Sequence, residues 1–250
     1  MRQRSLAFVV NGEKKYQKMT TNAIRMIREH NKRIHIRVFL TEDSPDFENE
    51  IKDQAEVVRK TPIDPYHCGN RGFVGECPEP SIISLDSDIF LFGDIEKLFD
   101  AYQDYDVVAC RNNWVFSHGW EQAFIPELEC SLNSGVVIWN NDLAKKWQEK
   151  APIICQELVD REKRKPLCDW LWNGHSKGLL REEVAFSLFV AEEKLKYAYF
   201  KDEECRISQF DYDWKEPENS LLFHSFSSHW QKCYNKLTKP RPKVFKFQKS

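Results

Sequence analysis

The sequence predicts an α/β fold: a mostly parallel central sheet with helices on both faces. Two observations predict it. Short apolar runs of strand length alternate along the chain with longer segments of helical period. Between Ser5 and Leu40, moreover, a strand, a helix and a second strand follow one another closely. That is a βαβ unit, whose parallel strands need a right-handed crossover.

Each element has its own signal. Ser5–Val10 is short and apolar and ends at the turn pair Asn11-Gly12, as a buried strand does. Tyr16, Met19, Ala23, Met26 and Ile27 recur at helical spacing with Arg25, Arg28 and Glu29 between them, an amphipathic helix closing near His30-Asn31. Ile34, Ile36, Val38 and Leu40 alternate with His35, Arg37 and Phe39 in the second strand. Phe47–Arg59 is expected to supply the next helix. Residues 60–80, with four prolines and three glycines, read as a loop-rich insertion. Ile82–Leu85 is a strand, Asp94–Tyr102 a short helix, and Asp106–Cys110 and Val136–Trp139 further strands. Helices are expected over Asp142–Arg164 and Arg181–Glu193. No repeat, low-complexity run or linker divides the chain, so residues 1–250 are read as one domain.

Composition narrows the function classes. With 41% hydrophobic and 13% aromatic residues, the chain can build a packed core. Its 37 basic and 39 acidic residues nearly cancel, which excludes a generally basic nucleic-acid binder. The balance is uneven: no Asp or Glu follows Glu218, while seven Lys and Arg do, from Lys232 to Lys249. An acidic body thus precedes a basic tail, which reads by default as a frayed, solvated end and otherwise as a contact for an anionic acceptor, a diphosphate or the headgroups of a membrane surface. The longest apolar run, Leu6–Val10, is far too short for a transmembrane helix. No export signal is visible at the N-terminus, so a cytoplasmic location is expected. The eight cysteines are irregularly spaced with no C-x-x-C pair; reduced, buried thiols are expected and a zinc site is not.

The sharpest local feature is Ile82-Ile83-Ser84-Leu85-Asp86-Ser87-Asp88-Ile89-Phe90. Two carboxylates two residues apart leave the end of a strand towards the same side, at the edge where α/β sheets bind ligands. Such a pair suits Mg²⁺ or Mn²⁺, which protein sites typically share with substrate phosphates. A plain loop pair of aspartates is the competing explanation. Asp43, after the second strand, is placed to meet a nucleotide or simply to sit in a solvated turn. Glu182 and Glu183 open a helix, where the helix dipole favours negative charge. The aromatic stretches Asn112–Trp120 and Asp169–His175 offer stacking surfaces for sugars or buried packing.

Leu85–Asp100 (LDSDIFLFGDIEKLFD) and Leu132–Asn140 (LNSGVVIWN) resemble segments of GT-A-fold glycosyltransferases, closest to the glycogenin and lipopolysaccharide-galactosyltransferase-like group, family 8 and its relatives. The opening unit with Val9, Val10, Asn11 and Tyr16 resembles their nucleotide-binding start. The resemblance implies a Rossmann-like nucleotide-diphospho-sugar transferase, with residues 1–110 binding the donor and 111–250 forming the acceptor side. It implies a hexosyltransferase that uses Mn²⁺ or Mg²⁺ to move sugar from a nucleotide-sugar, a UDP-sugar favoured, to a saccharide or other hydroxyl acceptor. Asp86 and Asp88 would hold the cation, and Ser87, Ser134 and Gly135 would line the donor site. Asn133 would contact donor sugar or acceptor, and Val10, Asn11 and Tyr16 would lie near the base. One of Glu182 and Glu183 would stand near the reacting sugar carbon. The group often supplies a third metal ligand from a late histidine, here matched by His224, although Ser227 and Trp230 replace the expected glycine and lysine. A phosphohydrolase of the haloacid-dehalogenase type also carries D-x-D after an apolar strand, but at the first strand of its core, whereas a whole βαβ unit precedes it here. A nucleotidyltransferase would need a Gly-rich N-terminal phosphate loop that is absent. A binding module that retains the fold without turnover is the non-enzymatic alternative.

Overall fold

The computed structural model describes residues 4–63, 69–111, 132–164, 179–207, 216–225 and 227–238. A seven-stranded sheet forms the centre. Its strands are β1 (Arg4–Val10), β2 (His35–Leu40), β3 (Glu56–Arg59), β4 (Ser81–Leu85), β6 (Val107–Arg111), β7 (Leu132–Trp139) and β8 (Tyr197–Tyr199). They lie in the order β3-β2-β1-β4-β7-β6-β8. Only β7 runs against its neighbours, so the sheet is mostly parallel, as expected. A second sheet of three short strands, β5 (Ile89–Leu91), β9 (Cys205–Ile207) and β10 (Leu222–His224), has β10 at its centre.

Strand alternation assigns each face its own core. Leu6, Phe8 and Val10 of β1, with Ile36, Val38 and Leu40 of β2, pack under the helices α1 (Lys14–His30), α2 (Pro45–Ile51) and α3 (Glu96–Ala101). On the opposite face Ala7, Phe39, Val137 and Trp139 meet α4 (Leu143–Arg164) and α5 (Leu179–Glu192). Burying each Val, Leu, Ile or Phe among them contributes roughly 1.5–3 kcal/mol, so both faces are firmly covered. Helix α1 presents Ala23, Ile24 and Ile27, all fully buried, and ends at Asn31. There the Asn31 side chain accepts a bond from Ile95 N–H (3.1 Å), tying the end of α1 to the approach of α3.

Two elements differ from expectation. The Phe47–Arg59 segment is not one helix: α2 stops at Ile51, a turn follows, and Glu56–Arg59 pairs in parallel with β2 as the sheet edge. The β-branched pair Val57-Val58 gains more from sheet pairing than from extending a short helix. The insertion at 60–80 contains a 3-10 helical segment, Gly69–Glu76, laid against α4. A Cβ on Gly75 would sit 2.4 Å from the Ala144 carbonyl oxygen, so glycine permits that close approach. The aromatic stretches and the tail beyond residue 238 lie outside the described residues. Cys155 is disulfide-bonded, contrary to the all-thiol expectation, whereas Cys77, Cys110, Cys205 and Cys233 carry thiols. Among the described residues no helix is long and apolar enough to cross a membrane.

Candidate functional site

The chain changes sheets at Asp86-Ser87-Asp88. Strand β4 ends at Leu85 in the large sheet, and β5 begins at Ile89 in the small one. Antiparallel pairing of β5 with β10 sets His224 opposite Ile89, beside Asp88. The N-terminal end of β7 enters from the other side, because β7 runs against β4, and brings Asn133, Ser134 and Gly135 to the same edge. Residues far apart in sequence thus meet where the two sheets diverge.

His224 Nε2 lies 3.3 Å from Asp86 Oδ2 and 3.2 Å from Asp88 Oδ1. One potential ligand atom from each of the three residues lies within 4.8 Å of the others. Asp88 and His224 are buried and Asp86 is partly exposed, so the cluster opens to solvent on the Asp86 side. Burial disfavours a charged His224 imidazole, but the Asp88 carboxylate outweighs it and raises the histidine's pKa above its ordinary value. His224 Nδ1 is buried with no hydrogen-bond partner. Two carboxylates and an imidazole converging at one point form a donor set fit for a divalent cation, and the imidazole favours Mn²⁺ over Mg²⁺.

The backbone holds this cluster tightly. Ser225, fully buried, donates both its N–H and its hydroxyl to the Asp88 carbonyl, each at 3.0 Å. Asp86 N–H donates to the Gly135 carbonyl (2.7 Å). A Cβ at Gly135 would fall 2.1 Å from His224 Cε1 and 2.7 Å from Asp86 Oδ2, so only glycine fits there. Ser87 points the other way, as alternation requires: its hydroxyl lies 2.9 Å from the buried hydroxyl of Thr20 on α1.

Around the cluster, Arg71 from the 3-10 segment is ion-paired with Asp86 and places Nε 2.7 Å from Glu182 Oε1. That Glu182 oxygen is buried without an aligned hydrogen bond, so the Arg71–Glu182 contact is charge pairing. Glu183 turns instead to Asn133, whose Nδ2 donates to Oε1 at 2.6 Å, while Asn133 Oδ1 accepts from Gly135 N–H at 3.0 Å. These two bonds fix the amide orientation of Asn133 and leave one Nδ2 hydrogen for another acceptor. Ser134 joins Arg71 and Glu182 in lining a cavity floored by Val137, Trp139, Trp147 and Phe186.

The remaining sequence-predicted residues lie nearby or outside. Val10 is buried in the core, and its carbonyl accepts from Thr41 N–H (3.1 Å). Asn11 Oδ1, at the end of β1, is buried without a hydrogen-bond partner. Tyr16 packs on both the α1-side core and the small cluster around Trp230. Asp43 projects into solvent, 83% exposed, and pairs with Arg59 at 3.2 Å. Sequence reasoning passed over Arg71, Thr20 and Ser225. For Arg71 a signal existed: glycines at 69, 72 and 75 repeat at the three-residue period of a 3-10 helix. Arg71 and Val74 fall on another face of that segment and both line the cavity.

No protein-family description and no curated protein matches the sequence. Solved structures do. The galactosyltransferase LgtC, crystallised with donor and acceptor sugar analogs, is 13% identical with a TM-score of 0.59; the match covers 96% of this chain and 98% of that one. GlyE, a glycosyltransferase of Streptococcus pneumoniae, is 17% identical with a TM-score of 0.57, over 92% of this chain and 60% of its own. Mouse xyloside xylosyltransferase 1 is 13% identical with a TM-score of 0.55, over 88% and 96%. The chain has a GT-A-type glycosyltransferase fold.

Proposed function

We propose that this protein is a metal-dependent glycosyltransferase that takes a sugar from a nucleotide-diphospho-sugar, a UDP-hexose favoured, and passes it to a saccharide or other hydroxyl acceptor. The observation that carries the proposal is the convergence of Asp86, Asp88 and His224 at the sheet-to-sheet switch of a GT-A-type fold. A divalent cation bound there would supply Lewis-acid neutralisation of charge on the departing nucleoside diphosphate. The protein's own groups have separate tasks. Asp86, Asp88 and His224 hold the cation, and Ser225 and Gly135 keep those three in register. Arg71 shares its single positive charge between Asp86 and Glu182. Asn133, oriented by Glu183, offers its remaining N–H to a sugar hydroxyl. One of Glu182 and Glu183 is the acidic group near the reacting carbon, and Asn11 and Tyr16 serve the base.

A thermal-shift panel of UDP-, GDP- and CMP-sugars with and without Mn²⁺ tests this reading, because a ligand that binds only the folded state raises Tm by mass action. The expected result is a metal-dependent rise with a UDP-sugar, abolished in Asp88→Ala along with nucleotide release in a transfer assay. No shift with any nucleotide in the presence of Mn²⁺ overturns the transferase reading. A metal-dependent shift with no turnover on any acceptor, water included, favours a binding module.

A further inference from the structure

Cys110, in β6, and Cys205, which opens β9, place their sulfurs 3.1 Å apart. Both residues are buried, at 4% and 3% exposure. The separation is only about 1 Å beyond the covalent S–S length of roughly 2.05 Å. β6 and β9 belong to different sheets, so no strand pairing sets this approach; the two side chains meet in the core on the α1 side of the large sheet. Cys110 Sγ also lies 3.5 Å from the Cys205 carbonyl, a weak contact that does not account for two sulfurs facing each other. Cys155 is itself disulfide-bonded, so cysteine oxidation already belongs to this fold.

We propose that Cys110 and Cys205 form a disulfide that joins the small sheet to the large one. The oxidant is a small-molecule or protein disulfide, reacting by exchange. One cysteine thiolate attacks the incoming disulfide and releases a thiol, leaving a mixed disulfide. The second cysteine's thiolate then attacks the mixed disulfide, closes the Cys110–Cys205 bond and releases the second thiol. The incoming disulfide takes up both electrons, and the two protons leave with the released thiols. Once β9 is in place neither sulfur is accessible, and burial pushes the Cys205 thiol well up, away from the reactive thiolate. Exchange therefore runs during folding, and the finished bond resists reduction until the protein unfolds.

The bond closes a loop across 95 positions of sequence, the kind of long closure that most restricts the unfolded chain. It also spans the site. Cys110 pairs in register with Asn133, and Cys205 lies in the strand whose Ile207 pairs with His224. Joining the two strands couples the sheet carrying His224 to the sheet carrying Asn133.

The test is to unfold and reduce the full chain, refold it in a glutathione and glutathione-disulfide buffer, quench in acid and map peptides without reduction. A linked pair containing Cys110 and Cys205, two hydrogens lighter than the separate peptides, is the expected product. Refolded Cys205→Ser should leave Cys110 open to alkylation after denaturation and lower Tm by roughly 5–10 °C relative to oxidised wild type. Native reduced protein given the same buffer without unfolding should stay reduced. Recovery of both cysteines as alkylated thiols after oxidative refolding, or of either one linked to a different cysteine, overturns the proposal.

Discussion

Gly135→Ala probes whether the carboxylate–imidazole cluster is held in a single geometry. The added methyl would lie 2.1 Å from His224 Cε1, 2.6 Å from Nδ1 and 2.7 Å from Asp86 Oδ2. Carbon contacts become favourable near ~3.5 Å, so the imidazole must retreat by roughly 1.4 Å. The strand resists moving instead, because Gly135 accepts from Asp86 N–H at 2.7 Å and donates to Asn133 Oδ1 at 3.0 Å. A retreat of that size takes His224 Nε2 out of its shared contact with Asp86 and Asp88. Disturbing the packing that orients a metal ligand typically costs about 10–100-fold in metal affinity, or ~1.4–2.8 kcal/mol. Mn²⁺ affinity, measured by calorimetric titration, should fall by that factor. Overpacking should also lower the stability of the metal-free protein by about 1–3 kcal/mol. The double variant Gly135→Ala/His224→Ala vacates the space, so it should recover stability while Mn²⁺ binding remains weak. Wild-type Mn²⁺ affinity and Tm in Gly135→Ala would refute the close packing of Gly135 against His224.

Ser225→Ala removes one of two bonds to the Asp88 carbonyl while the backbone N–H remains; it should cost about 1 kcal/mol and weaken Mn²⁺ by no more than about fivefold. A larger loss in the titration would assign Ser225 a direct role at the cation. Arg71→Gln leaves Glu182 buried without its cation, so unfolding free energy should drop by about 3 kcal/mol; adding Glu182→Gln should restore part of it in a double-mutant cycle. Purely additive losses would show that the two groups are not coupled. In metal-free protein the raised His224 pKa has a definite sign. Its stabilising contribution is complete below the unfolded histidine value of about 6.5 and disappears as pH rises through the folded value. Apo-protein Tm should therefore fall along that limb and flatten in His224→Gln, whereas Mn²⁺ affinity should rise with pH because the cation displaces the Nε2 proton. A Tm profile identical in both proteins would contradict the Asp88–His224 coupling.

Much of the α/β architecture was legible because its elements carry strong local patterns. The alternation in Ile34–Leu40 and the helical spacing from Tyr16 to Ile27 each follow from which face a side chain must bury. The segment Phe47–Arg59 misled because its apolar residues suit either period, and the sheet edge beside β2 decided the matter. The strands β5, β9 and β10 are three residues each, too short for any period to emerge. Asp86 and Asp88 stood out because two carboxylates directly after an apolar strand are unusual, and His224 entered only through family resemblance. Arg71 lay hidden in a proline- and glycine-rich stretch, since a lone arginine there has no partner visible in sequence.

What the sequence determined by itself is therefore local: which segments pack against a core, and which acidic pair leaves the end of a strand. Periodicity and turn chemistry act over a few residues and need no partner. Only the tertiary structure decided that Asp88 faces His224, that Arg71 bridges Asp86 and Glu182, that Asn133 is oriented by Glu183, and that Cys110 meets Cys205. Each pairing is set by strand order and by the step from one sheet to the other at Asp86–Asp88. Coulombic attraction, metal affinity and thiol exchange depend on distance in space, and the topology of the two sheets set those distances.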